Sequence, residues 1–422
     1  MRYNFNPTGN EEGEYPPGGR SSQLEESNLT IPRSYAAALG AVVMTVALAA
    51  PALAQDPQIE VLAEGLNNPR GVKVAADGVY VVEAGVGGET CLGEGAMCYG
   101  PSGAVLRVTP DGVERLVEGL TSSAEGPESG GVSDSALAAD GSLYLIMNLG
   151  RDPAMRAELP QDFASAGWLM KVGPDGSVEP VADVAAFESA NDPDAELGGA
   201  VDSNPYGIVA TEGGIAVADA GANDVLLVAD DGSVTLLGVL GPTVHEFSGA
   251  DLAAMGPPPE GEGELPPADG EAPPADAMIP IPVEAVPTSL AVGPDGALYV
   301  GELTGGPFPL GGASVWRLAD GETTQYATGF TNIMGLGFAP DGTLYVAEMV
   351  HEGLMTVFAG GDTPPIGAVM SVPPGGGEPT MVATGEQLMA LGGLAVDVDG
   401  AVYVSTGTIM GPGGGSLVKI TP

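Results

Sequence analysis

The chain has 422 residues, enough for one large or two ordinary domains, and carries 56 acidic against 12 basic side chains, a net charge of −44. Such a surface repels phosphate backbones and anionic lipid, which excludes nucleic acid as a partner. It suits solubility, tolerance of high salt or divalent cations, and charge alone does not choose among these.

From the N-terminus, positions 36–50 form an apolar, small-residue run preceded by Arg33 and followed by Ala52-Leu53-Ala54 before Gln55. This pattern identifies 1–54 as a leader and secretory signal segment, too short for a comfortable membrane span. The polar residues ahead of it, including Glu11-Glu12-Gly13-Glu14, fit an unusually long leader or a mis-called start. If the segment were retained it would act as an anchor instead. After cleavage the mature chain is expected to begin near Gln55, outside the cytoplasm (periplasmic or extracellular), with no integral span.

The mature region repeats one unit six times: VAADGVYVVEA (74–84), LAADGSLYLIM (137–147), VATEGGIAVADA (209–220), AVGPDGALYVGEL (291–303), FAPDGTLYVAEM (338–349) and VDVDGAVYVSTG (396–407). Asp-Gly between alternating apolar runs signals a hairpin, because both turn residues tolerate positive φ. Each unit continues into a third strand, a second tight turn and a fourth strand, as in Ala104–Val108, Pro110-Asp111-Gly112 and Val113–Val117. Six such sets predict an all-β, six-bladed β-propeller of four-stranded antiparallel blades over 55–422. The last repeat ends after a third strand, Ser416–Ile420, and lacks a fourth. Ile59–Leu62 in the early QIEVLAEGL stretch resembles the missing strand and is expected to close the ring, removing an exposed edge.

Short turns fall on one face of such a propeller. The long segments 84–102, 121–131, 148–167, 187–205, 240–287, 304–312 and 350–367 fall on the other, which is therefore the candidate functional face. Cys91 and Cys98, the two cysteines, flank a short Gly-containing stretch in an exported context, and a disulfide stapling that loop is expected. The acidic, Pro-rich insertion at about 242–285 has the composition of an extended, disordered linker.

Glu83, Asp219, Glu302, Glu348 and Thr406 stand three residues after the repeat's Tyr position, with Asn148 displaced by one in the second repeat. They predict a ring of polar groups at the long-loop ends of the second strands. With Asp202, Asn204 and Asn223 they offer hard oxygen ligands, which suit calcium or magnesium, calcium being the cofactor expected if a metal is bound; the alternative is that they cap loop N–H groups. Arg70, Arg151 and Arg156 are the basic residues expected on this face. Arg70 is expected to pair with the carboxylate ring or to orient an anionic substrate. Tyr206, Phe308 and Phe330 are aromatics expected at loop–strand junctions, where they stack a planar ligand or pack beneath loops. Only His245 and His351 represent histidine, so no Ser-His-Asp or Cys-His set is available. Acid–base work in an enzyme would fall to Glu302, Asp219 or Tyr206.

GLNNPRG (65–71), VADVAAFE (181–188), DSNPYG (202–207), VADAGAND (217–224), the long VPTSLAVGPDGALYVGELTGGPFPLGGASVWR (286–317) and GFTNIMGLGFAPDGTLYV (329–346) resemble the exported scytonemin-biosynthesis proteins of the ScyD/ScyE type, which carry NHL-like propeller repeats. The resemblance implies a periplasmic six-bladed propeller, associated in some members with assembling an indole-phenol pigment from aromatic precursors. It brings no established catalytic residue to this chain, and the acidic insertion departs from the family pattern. The expectation is an exported propeller that binds a small aromatic metabolite on its long-loop face, with Arg70, Tyr206, Asp219, Asn223, Glu302, Phe308 and Phe330 as binding candidates. The alternatives are a calcium-dependent hydrolase or lactonase-like propeller and a non-catalytic binding scaffold at the cell surface.

Overall fold

A computed structural model of the chain describes residues 56–92, 97–126, 128–160, 163–255, 274–358 and 363–422. The expected signal segment lies outside the described residues.

Period-two alternation with both faces apolar gives each blade two faces to bury. The innermost strands are Pro69–Ala75, Val132–Leu137, Pro205–Thr211, Pro287–Val292, Ile333–Phe338 and Leu394–Val396. Each pairs antiparallel with a second strand: Gly78–Glu83, Leu143–Met147, Gly214–Asp219, Leu298–Glu302, Leu344–Glu348 or Val402–Thr406. Third and fourth strands complete six four-stranded blades, and neighbouring innermost strands pack side by side around a closed ring, a six-bladed propeller.

Adjacent residues serve opposite seams. In the first blade Val79 and Val81 pack toward the sixth blade with Tyr403 and Leu417, while Tyr80 and Val82 pack toward the second with Leu143 and Leu145. The ring closes as expected. Gln58–Leu66 pairs with Gly415–Thr421 from Gln58↔Thr421 to Leu66↔Gly415, supplying the sixth blade's outermost strand.

Turn chemistry varies among the hairpins. Both residues have positive φ at Asp320 (54°) and Gly321 (78°), but in the inner hairpins only the glycine does, as at Gly141, Gly296, Gly342 and Gly400. The aspartates there keep ordinary φ and accept a following N–H instead: Asp140 Oδ1 from Ser142 (2.8 Å) and Asp341 Oδ1 from Thr343 (2.9 Å). This is the longer hairpin loop, a type I turn closed by a left-handed residue.

Two insertions are more regular than their composition implied. The first blade's third and fourth strands, Met97–Thr109 and Gly112–Glu125, run on past the blade, and Glu128–Gly130 adds to the ribbon they form. Its tip pairs Cys91 with Cys98, which are joined in a disulfide. The acidic insertion starts and ends in paired strands, Thr243–Ser248 and Met278–Val283, because alternating residues such as Phe247, Ile281 and Val283 bury there. The expectation of disorder across 242–285 is corrected for these ends; 256–273 lies outside the described residues.

Candidate functional site

Arg70, Ser133, Tyr206, Thr288 and Met334 occupy one register position in blades one to five. Each follows the residue paired with the last residue of its second strand, and each sits in a register shift. A bulge re-aims a side chain out of the alternating pattern, and these five line the mouth of the central channel. The Ser133 hydroxyl donates to Pro205 O (3.2 Å) and that of Thr288 to Ile333 O (2.6 Å), so both are occupied in joining blades. Arg70, Tyr206 and Met334, from alternate blades, are the long side chains left at the mouth.

Immediately below, small residues pinch the channel. A Cβ at Gly71 would stand 1.9 Å from Asp134 Oδ1, and one at Gly335 would stand 2.5 Å from Leu394 N. The cavity bounded by the mouth residues and the inner strands beneath them is about 20 Å³, room for about one water. Asp134 fills it, its Oδ2 accepting from Lys73 Nζ (3.0 Å) and Ile208 N (3.0 Å). Burial raises the Asp134 pKa, while Lys73 and the N–H donors oppose the rise.

Arg70 does not pair with the carboxylate ring. Its Nη1 donates to the Tyr206 hydroxyl, its guanidinium carbon lies 5.5 Å from the Tyr206 ring centroid, and its Nη2 donates to Ser129 O (2.5 Å). The short strand Glu128–Gly130 delivers Ser129 to this point. No carboxylate forms an ion pair with Arg70 among the described residues. Beside it runs a partly buried apolar rim, where Tyr206, Leu303, Phe308, Val357 and Ile409 pack against Met334 and Leu354. Phe330, expected at the same junctions, is instead fully buried between the fourth and fifth blades.

The predicted carboxylates stand one strand behind the channel lining, each held within its own blade. Glu83 accepts from Asn67 N (2.7 Å) and pairs with Arg115 from the outermost strand (2.9 Å), which explains why Arg70 does not reach it. Asp219 accepts from Ser203 Oγ and Asn204 N, both at 2.6 Å, and from Gly221 N and Ala222 N. Glu302 accepts from Trp316 Nε1 (2.8 Å), and burial pushes its pKa up to about 7. Glu348 accepts from Thr331 N (2.8 Å) and contacts His351 Nδ1 (2.5 Å). Asn148 accepts from Gly131 N (2.6 Å). All but Glu302 cap loop N–H groups, and a calcium ion at Glu83, Glu302 or Glu348 would have to displace the donors that hold them.

Asp202, Asn204, Asp219 and Asn223 lie in a different setting above the third blade. Three acids that sequence spacing missed, Glu188, Asp194 and Asp224, join them. Burial, reinforced by Asp194 and Asp219, pushes Glu188 up to about 8; burial and Asp219 push Asp202 to about 6. Asp224 lies well above the carboxylate range for the same reasons. Asn223, with φ 51°, donates to Asp194 Oδ2 (3.0 Å) and accepts from Val286 N (3.0 Å), tying the insertion to the fourth blade. Of the other long-loop arginines, Arg156 clamps Asp183 with two bonds of 2.6 and 2.5 Å, and the Arg151 backbone bridges to Ser203 while its Nε is buried without a partner among the described residues. His245 is held by its hairpin, its pKa lowered by burial.

No helix among the described residues is long and apolar enough to cross a membrane. No family model and no curated protein match the chain. Among solved structures it is similar to virginiamycin B lyase from Staphylococcus aureus, at 13% identity over 87% of this chain and 100% of that one, TM-score 0.43. A gluconolactonase from Xanthomonas campestris is 15% identical over 72% of this chain and 89% of its own, TM-score 0.37. A glucose dehydrogenase is 11% identical over 86% and 99%, TM-score 0.46. At that distance none of them assigns this chain an activity.

Proposed function

We propose that the long-loop mouth of the channel binds a small anionic aromatic metabolite. Arg70 takes the anion, and Tyr206, Met334 and Phe308 take the ring. The observation that carries this reading is the Arg70 guanidinium, which has no carboxylate partner among the described residues although the chain has a net charge of −44. A guanidinium presents a planar fork that matches a carboxylate with two parallel bonds. Aromatic and thioether groups beside it suit a flat ligand. The cavity among these residues has room for about one water, so the ligand rests on the mouth rather than within it.

The resemblance to ScyD/ScyE-type proteins points to the same ligand class, aromatic precursors. The Cys91–Cys98 disulfide fits an oxidising compartment, in keeping with export. Tyr206, its hydroxyl held by Arg70, is the group placed to exchange a proton with a ligand at the mouth. A calcium-dependent hydrolase ranks second. Of the acids above the third blade, Asp194 lines a separate cavity, which shares no lining residue with the channel mouth.

Calorimetric titration with indole-3-acetate and with its uncharged amide tests the reading. Binding of the acid with at least about ten-fold preference over the amide supports it, since an ion-paired hydrogen bond is worth more than about 1.4 kcal/mol. Equal binding of the two, or binding of neither, would count against an anion site at Arg70.

A further inference from the structure

Outside the channel, the helix Val184–Asn191 ends in a way that a helix on its own avoids. Its last turn carries no basic residue, and its C-terminal carbonyl end, the negative pole, faces three acids. Glu188 belongs to that last turn. Asp192 is the left-handed cap at φ 43°, its N–H bonded to Glu188 O (2.8 Å). Asp194 opens the following turn, Ala195–Leu197. The reversal between them gathers one oxygen from each of the three carboxylates, all within 4.8 Å of one another. Oxygens that share one calcium ion at 2.3–2.6 Å lie no farther apart than about 5 Å.

A cluster of acids alone would not make a site, but here buried oxygens lack any partner. Glu188 is 1% exposed and neither of its oxygens accepts a hydrogen bond; Asp224, 0% exposed, is in the same state. Asp194 (1% exposed), Asp192 and Asp202 each have one more unpartnered buried oxygen. None of the ion pairs among the described residues involves these five. An unpaired buried carboxylate costs several kcal/mol, so this concentration of them calls for a counter-charge or bound protons. A cavity of about 150 Å³, lined by Asp194, Gly199, Asn223 and Glu284, adjoins the cluster and gives an ion and its waters a way in.

We propose that Glu188, Asp192 and Asp194 bind one calcium ion, with Asp224 and Asp202 supplying further negative charge. Oxygen-only donors exclude the softer metals that favour His and Cys, and the flexible geometry suits calcium better than the strict octahedron of magnesium. The ion fastens the 184–205 insertion onto the third blade, and the segment it fixes runs directly into Pro205 and Tyr206. The site stands independently of the ligand proposed for the channel mouth.

The test is titration of CaCl2 into the chelator-treated protein, followed by calorimetry and by thermal melting. About one ion per chain and a melting temperature raised by several degrees are expected, with MgCl2 much weaker at equal concentration. Glu188→Gln and Asp192→Asn should each weaken calcium binding at least about ten-fold. In chelator both should melt no lower than the wild type, because each puts an amide N–H donor among carboxylate oxygens that lack one. Asp192 is only partly buried, so its variant remains informative should Glu188→Gln fail to fold. No heat and no melting shift up to about 10 mM calcium would overturn the proposal. A shift left undiminished in both variants would overturn it as well, by placing the ion elsewhere.

Discussion

Arg70 and Tyr206, from the first and third blades, hold each other across the channel mouth, guanidinium to hydroxyl and guanidinium over ring. Neither touches the other's blade through the backbone, so the pair is a contact between side chains that two bulges aim at one point. A bulge costs ladder hydrogen bonds, and its recurrence at the same position in five blades makes the mouth a built feature of the ring.

Replacing Arg70 with Gln should leave the fold nearly intact, at a cost of about 1 kcal/mol for the lost bonds to Tyr206 and Ser129. Affinity for an aromatic carboxylate should fall at least about ten-fold. Melting curves and calorimetry on the same preparation separate the two effects. A large loss of stability would mark Arg70 as a blade fastener.

Sequence spacing places Glu302 at a binding ring, where truncation would weaken binding and leave folding untouched. In the structure it is 2% exposed and holds Trp316, so Glu302→Ala should cost about 1–3 kcal/mol of stability.

The same residue gives a pH dependence. Its folded pKa of about 7 stands above the ordinary 4.5, so the folded state holds the proton more tightly than the unfolded chain. Its contribution is therefore fully present below about pH 4.5 and is lost as pH rises through about 7, on the order of 3 kcal/mol in all. Glu302→Gln keeps an acceptor for Trp316 and carries no proton to lose. Between pH 5 and 8 its melting temperature should fall less than that of the wild type; parallel curves would contradict this.

Asp219 caps four donors from two loops. Asp219→Ala should cost about 3 kcal/mol, and Asp219→Asn, which keeps an acceptor for the N–H groups, about 1. Chemical denaturation of both variants checks the order.

Ring closure rests on the inward residues of Gln58–Leu66. Leu66 is 4% exposed and Val61 40%, so Leu66→Ala should cost about 3 kcal/mol and Val61→Ala less than about 1. Equal costs would mean the strand is not seated in this register.

The propeller was legible because its signal is local and repeated: an Asp-Gly turn, alternating apolar residues and a Tyr recur in nearly every unit. The closing strand was legible because QIEVLAEGL looks like a fourth strand that has lost its repeat. The carboxylates were legible as positions, with capping as one of two readings, but the donors they hold, such as Asn67 N and Trp316 Nε1, were not, since tertiary geometry sets them. Arg70 and Tyr206 share the frames Asn-Pro-Arg-Gly and Asn-Pro-Tyr-Gly, and Asn332-Ile333-Met334-Gly335 is a third version, in which Ile333 replaces the proline that marks the other two. Glu188, Asp192 and Asp194 lie in an insertion outside the repeat. Only the helix end and the following turn bring them together, and no periodicity announces that.

The most direct measurement is a crystal structure of the protein with indole-3-acetate bound. The account predicts the ligand at the channel mouth, its carboxylate about 2.7–2.9 Å from the Arg70 guanidinium and its ring against Tyr206 and Met334. A ligand seated elsewhere, or at the mouth with its carboxylate turned away from Arg70, would contradict it.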